Sequence, residues 1–238
     1  MKHHGGATLW PSELYTFFTT IKDAFIGFYG RLVRIKVFGE EMWRELRSNA
    51  IVVANHVTGA DSIILQIALK RRLFLLAAQK WFQGRFIRFF MIFFCDMIPV
   101  AREMGACNLL GIKRALALLG HRQSLALYPA GHMSRDGSMP EIYNGAAYLA
   151  FKSGVPIVTV YLKNLALGPQ IGSGPRIDET LEGLGSVAHN IFNRKIEVYI
   201  ARPIYPRTEG INRKDEMNRL NAEIRRSFEE LRQKASLS

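Results

Sequence analysis

The chain has 238 residues and a mass of 27.0 kDa, enough for one large domain or two small ones. With 48% hydrophobic and 22% charged residues it can bury a sizeable core, which excludes a mainly disordered chain; two cysteines, Cys95 and Cys107, exclude a disulfide framework and a cysteine-built zinc site. A formal charge of +12 and a pI near 10.0 call for an anionic partner, and nucleic acid, anionic lipid and an acidic carrier protein all qualify.

Met1 to Gly6 lack the apolar core and cleavage site of a secretory signal, so the chain is expected to stay in the cytoplasm. Residues 12 to 33 follow a Pro-Ser helix start and space Phe17, Phe18, Ile21, Phe25, Phe28 and Leu32 by one, three and four, which predicts an amphipathic helix with a break near Gly27 or Gly30. Residues 1–33 are therefore set apart as an N-terminal amphipathic, membrane-associating segment ahead of a domain at 34–238. Residues 34 to 39 alternate charged and apolar side chains as a strand does, and Ala50 to Ala54 reads as a short buried strand. Helices are predicted at 61–70, 108–119 and around 145–153, with apolar β-rich runs at 124–128 and 155–162. The glycine-rich stretch 168–174 neither follows a strand nor opens a helix, and reads as a flexible loop. After a strand at 196–200, residues 213 to 234 space Met217, Leu220, Ile224, Phe228 and Leu231 as one helical stripe on a mixed-charge surface helix. Strands and helices alternate, so the fold class is α/β: a mixed β-sheet flanked by helices. No charge-free apolar run reaches the roughly 18 residues of a spanning helix, because Lys22, Arg31, Arg34, Arg85, Arg88 and Asp96 interrupt the greasiest segments.

Chemistry concentrates at Asn55-His56-Val57-Thr58-Gly59-Ala60-Asp61, where a histidine and an aspartate lie five apart just after a buried strand. If Asp61 accepts a hydrogen bond from one ring nitrogen, it fixes the tautomer and leaves the other nitrogen to take a proton from a hydroxyl. Gly59 would let the chain bend back far enough for the two to meet. The plain alternative is that Asp61 caps a helix starting at Ser62 and His56 is a satisfied loop histidine.

The wider pattern bears on that choice. The chain runs Lys36-Val37-Phe38-Gly39, the His56 and Asp61 block, Ile98-Pro99-Val100-Ala101-Arg102, Leu127-Tyr128-Pro129-Ala130-Gly131-His132-Met133-Ser134, then Gly154-Val155-Pro156-Ile157-Val158. In that order and spacing it resembles the glycerolipid and lysophospholipid acyltransferase family over roughly residues 34 to 165. The resemblance implies that His56 is the general base and Asp61 its orienting carboxylate. It implies that Arg102 contacts the acceptor's phosphate, a task that suits a forked guanidinium, against the alternative of a surface arginine after a strand. Gly131 would let backbone N–H groups approach a phosphate or a developing oxyanion, and Pro156 is structural. The third block departs from the family's Pro-Glu-Gly-Thr-Arg-Ser: its glutamate is Ala130, its threonine His132 and its arginine Met133. Arg135 is a candidate for the lost charge, and a Pro-Ala-Gly block resembles the branch that acylates amino-acid lipids. His132 beside His56 and Asp61 raises a metal site in principle, but the family is metal-independent, so no metal is expected and His132 becomes an acceptor-binding wall residue.

Residues 80 to 94 mix aromatics with Lys and Arg, as an interfacial helix does; for 81 to 94 a core helix whose aromatics line an acyl tunnel reads equally well. With no RNP-like strand, zinc finger or basic zipper, nucleic acid is not the expected partner. The expected function is transfer of a fatty acyl group from acyl-CoA or acyl carrier protein to a lysolipid at the cytoplasmic face of an anionic membrane, without a bound cofactor. Lysophosphatidate is the leading acceptor and a lyso-ornithine type amino-acid lipid the second. A lipid-binding relative that has lost turnover is the non-enzymatic alternative.

Overall fold

The computed structural model describes residues 12–237 apart from 83, 86, 87, 89, 90, 93, 94, 101–105, 132, 135, 140, 168–174 and 194. Its apolar runs form a seven-stranded sheet: β1 (Ile35–Phe38), β2 (Ile51–Ala54), β3 (Leu73–Ala78), β4 (Met97–Val100), β5 (Ser124–Leu127), β6 (Ile157–Lys163) and β7 (Ile196–Ile200). The order is β1-β7-β6-β2-β5-β3-β4. Every neighbouring pair is parallel except β6 with β7, so β1 and β7 run against the other five. β2 and β5 are buried at all four positions, because helices cover both faces of the sheet and leave no polar alternation to be read.

On one face lie α1 (Ser12–Leu32), α2 (Glu40–Glu45), α3 (Asp61–Leu69) and α6 (Pro175–Phe192). Tyr29, Val33, Trp43, Ile64 and Leu65 pack there with Val52, Ala54 and Leu75 of the sheet. The other face carries α4 (Ala106–Gly120), α5 (Gly145–Ser153) and α7 (Arg213–Ser236), whose Ala115, Leu149 and Leu220 meet Ile51, Val53, Leu125 and Leu127. Period-two alternation along β2 thus feeds both cores.

The mixed sheet with flanking helices is the predicted class. α1 runs unbroken through Gly27 and Gly30, contrary to the expected break. Gly30 serves packing instead, since a Cβ there would meet Ile67 Cγ2 of α3 at 3.3 Å. The predicted helices at 61–70, 108–119, 145–153 and 213–234 and the predicted strands are present within a few residues; α2, β3 and α6 were not foreseen, and β4 only as the strand ahead of Arg102. Within the aromatic segment 81–94, Phe82 is buried and ends a 3-10 turn (Gln79–Phe82), and Arg85 and Arg88 are exposed; most of its other aromatics, like the glycine-rich stretch 168–174, lie outside the described residues. No described helix is long and apolar enough to cross a membrane.

Candidate active site

The site forms where β2 and β5 end, at the carboxyl edge of parallel strands where open α/β sheets leave a crevice. Beyond Ala54, Asn55 extends the ladder with its side chain. Its Nδ2 donates to the Leu162 carbonyl at 2.9 Å and its Oδ1 accepts the Leu162 N–H at 2.7 Å. Gly137 packs on this amide at φ +68, and a Cβ there would meet Asn55 Nδ2 at 3.1 Å. The chain leaves the sheet at His56 from a fixed point.

His56 Nδ1 stands 2.8 Å from Asp61 Oδ2. Asp61 is fully buried at the first residue of α3, where the helix dipole favours a negative charge. Its carboxylate turns back into the loop: Oδ2 accepts the Val57 N–H at 2.6 Å, and Oδ1 accepts the Thr58 N–H at 3.1 Å and the Thr58 hydroxyl at 3.3 Å. Residue 60 occupies the N-cap and no side chain caps α3, so the plain capping reading of Asp61 is not what forms. With Nδ1 donating to the carboxylate, Nε2 is the ring's acceptor, and it has no partner among the described residues. The imidazole side chain is 24% exposed against 1% for Asp61, so it meets an incoming molecule while its orienting group does not.

Two further contacts hold the histidine, and sequence reading assigned neither. The Tyr128 ring, one residue past β5, stacks on the imidazole at 4.1 Å between centroids with 9° between planes. Its hydroxyl oxygen is buried without a hydrogen-bond partner among the described residues. Burial, and after it the charge of Asp61, push this phenol well above its ordinary range, so it stays protonated and acts as an aromatic wall. The His56 carbonyl accepts the Ser134 N–H at 2.7 Å, tying the third sequence block to the first. That block is stiffened by Asp136, which accepts from Ser134 and, at 3.0 Å, from the Ser138 N–H. These hydrogen bonds, Ser134's foremost, hold Asp136 well below the usual carboxylate range.

Gly131 adopts φ +67, the left-handed conformation that favours glycine. Its N–H closes the turn onto the Tyr128 carbonyl at 3.0 Å, so the described role of Gly131 is conformational. Ala130, where the resembled family carries glutamate, is 5% exposed and packs with Met139 and Tyr161. Arg102, His132 and Arg135 lie outside the described residues. Among the described residues no three of His, Cys, Asp and Glu gather as a metal would require.

A solvent-facing imidazole backed by a buried carboxylate, set at the ends of parallel strands, is an arrangement for moving a proton on and off a bound hydroxyl. A model of the acyltransferase family matches residues 34–163, more than half of the chain, and the chain belongs to that family and is an acyltransferase. Among solved structures it is similar to the 1-acyl-sn-glycerophosphate (LPA) acyltransferase PlsC from Thermotoga maritima. The two share 17% identity over 93% of this chain and 79% of that one, with a TM-score of 0.55, a likeness of fold.

Proposed function

We propose that this acyltransferase moves a fatty acyl group from the thioester of acyl-CoA or acyl carrier protein to the hydroxyl of a lysolipid. The observation that carries the reading is the 2.8 Å contact between His56 Nδ1 and Asp61 Oδ2 with Nε2 open. Nε2 takes the acceptor's hydroxyl proton, and the alkoxide oxygen attacks the thioester carbonyl. The tetrahedral oxyanion then collapses, the C–S bond breaks, and the leaving thiolate recovers the proton from the imidazolium. No acyl-enzyme and no cofactor enter the balance.

Lysophosphatidate is the leading acceptor, with Arg102 as the proposed phosphate contact and His132 and Arg135 as further proposed acceptor-binding residues. Gly131, by its turn, shapes the backbone that faces the acceptor. The second reading is a lyso-amino-acid lipid. It is favoured by the third block, where buried Ala130 and half-buried Met133 replace the family's two charged groups. The enzyme works at the cytoplasmic face of an anionic membrane, supported by a charge of +12 and by the outward apolar side chains of α1.

The test is incubation of the purified protein with labelled acyl-CoA or acyl carrier protein and a panel of lysolipids, with products read by mass beside the His56→Ala variant. A diacyl product from lysophosphatidate that disappears in His56→Ala supports the leading reading. Product only from a lyso-amino-acid lipid selects the second, and an unchanged rate in His56→Ala sinks the mechanism. Product from none of the panel favours a relative that binds lipid without turnover.

A further inference from the structure

α6 begins at Pro175, beyond the span 34–163 that the family model matches, yet it touches the turn that joins His56 to Asp61. Gly59 sits in that turn. Its N–H donates to Glu182 Oε2 at 3.3 Å, and a Cβ added to Gly59 would come within 2.6 Å of the Gly183 Cα. Two glycines, one on each side, therefore let loop and helix meet backbone to backbone. Glu182 is 8% exposed, and its Oε1 accepts the hydroxyl of fully buried Ser186 one turn along at 2.9 Å. One carboxylate oxygen thus fixes the side chain to its own helix while the other reaches the turn.

The helix is itself pinned. Asn190 exchanges hydrogen bonds with Ala166, its Oδ1 accepting the Ala166 N–H at 2.9 Å and its Nδ2 donating to the Ala166 carbonyl at 3.2 Å. The Tyr29 hydroxyl of α1 donates to the Val187 carbonyl at 2.7 Å. A carboxylate that is nine-tenths buried is expensive, and this one is aimed at the segment whose neighbouring amides, on Val57 and Thr58, hold Asp61. We propose that Glu182 is a positioning residue of the acyl-transfer site. By accepting the Gly59 N–H across the Gly59–Gly183 contact, it holds the turn that keeps Asp61 on the imidazole. It acts through Asp61 and does not touch substrate. The inference rests on the reading of His56 and Asp61 given above.

The experiment compares Glu182→Ala, Glu182→Gln, Ser186→Ala and His56→Ala for acyl transfer, melting temperature and amide hydrogen exchange at Gly59. Glu182→Ala is expected to lower kcat by about tenfold or more, since small misplacement of a catalytic pair is costly. The acceptor's KM should stay within about twofold, and the Gly59 amide should exchange faster. Glu182→Gln keeps a carbonyl acceptor and should recover most of kcat; Ser186→Ala, which removes one hydrogen bond to the carboxylate, should fall between. If Glu182→Ala does not fold, the Gln and Ser186 variants carry the same comparison. Wild-type kcat in Glu182→Ala beside an inactive His56→Ala, or a lowered melting temperature with kcat and Gly59 exchange unchanged, would overturn the proposal alone. A fully active His56→Ala would overturn the reading of the site and the proposal with it.

Discussion

At the scale of single residues, the part-exposed imidazole of His56 is set apart from the buried groups that hold it. Asp61 spends its acceptors on His56, Val57 and Thr58, so Asp61→Asn keeps the shape but presents an amide to the wrong side of the ring. From the behaviour of orienting carboxylates elsewhere, kcat should fall by about 10³–10⁴-fold with acceptor KM little changed, a split that steady-state kinetics reads directly. Tyr128 contributes its ring, while its hydroxyl is buried without a partner among the described residues. Tyr128→Phe removes only the unsatisfied group and should leave activity intact and stability equal or up to about 1 kcal/mol higher. Tyr128→Ala removes the stack and opens a cavity, at roughly 3–5 kcal/mol with a fall in kcat. Chemical denaturation beside kinetics checks both, and a Phe variant that lost activity would assign the hydroxyl a role. His56 and Asp61 were legible because the six consecutive residues 56 to 61 carry the whole pair. Tyr128 and Asn55 were not, since their partners come from pairing of β2 with β5 and β6, which sets Val53 against Leu127 and Thr159 across long stretches of chain. Glu182 lies further still, on a helix with no local trace of the turn it touches.

At the scale of elements, legibility followed periodicity. α7 carries its stripe of Leu220, Ile224, Phe228 and Leu231, all buried, and was read from spacing alone. β3 is Leu73-Phe74-Leu75-Leu76-Ala77-Ala78, an apolar run without alternation, and β4 is four residues with a proline. α6 contains Gly183 and Gly185, which cut its apparent helix propensity although Gly183 is what the contact requires. β4 and β3 are also where α1 is anchored. Just before β4, Asp96 is buried, bonded to Lys22 of α1 and held by Arg72 at 2.8 and 2.5 Å. One carboxylate faces two cations. Burial first, and the Arg72 charge second, lower Lys22 from 10.5 to about 7. The unfolded chain then binds more protons than the folded one between pH 7 and 10.5, so this lysine makes stability rise with pH through that window and leaves it flat below. Lys22→Met should abolish that rise and be neutral or stabilising at pH 7, because the Arg72–Asp96 pair survives. Asp96→Asn, which takes the carboxylate away from buried Lys22, should cost about 3–5 kcal/mol. Urea midpoints at pH 7 and 9 decide between these outcomes.

At the scale of the whole molecule, the question is why an acyltransferase shows so much of α1 to solvent. The buried side of that helix holds Thr19, Lys22 and Tyr29, whereas Phe17 and Phe28 are each 60% exposed and Ile21, Phe25 and Leu32 accompany them. An outward stripe at helical spacing is the reverse of a helix that docks only on its own core. Arg31, Arg34 and Lys36 follow it, all exposed. An apolar stripe beside basic residues, on a chain carrying a charge of +12, is the layout of a helix that lies in the plane of an anionic interface. The two contributions separate by experiment, because salt screens only the electrostatic one. Wild-type protein should sediment with phosphatidylglycerol vesicles and partly release in high salt. Replacing both phenylalanines, Phe17→Asp with Phe28→Asp, should weaken binding by about 100-fold, the loss expected if each ring contributes roughly 1.4 kcal/mol of partial burial. The variant should still transfer acyl groups to a lysolipid dispersed as monomers, if α1 serves only the lipid surface and the proposed chemistry at His56 is separate from it. Unchanged vesicle binding in the double variant would leave the basic surface as the whole of the attraction and remove α1 from the membrane contact.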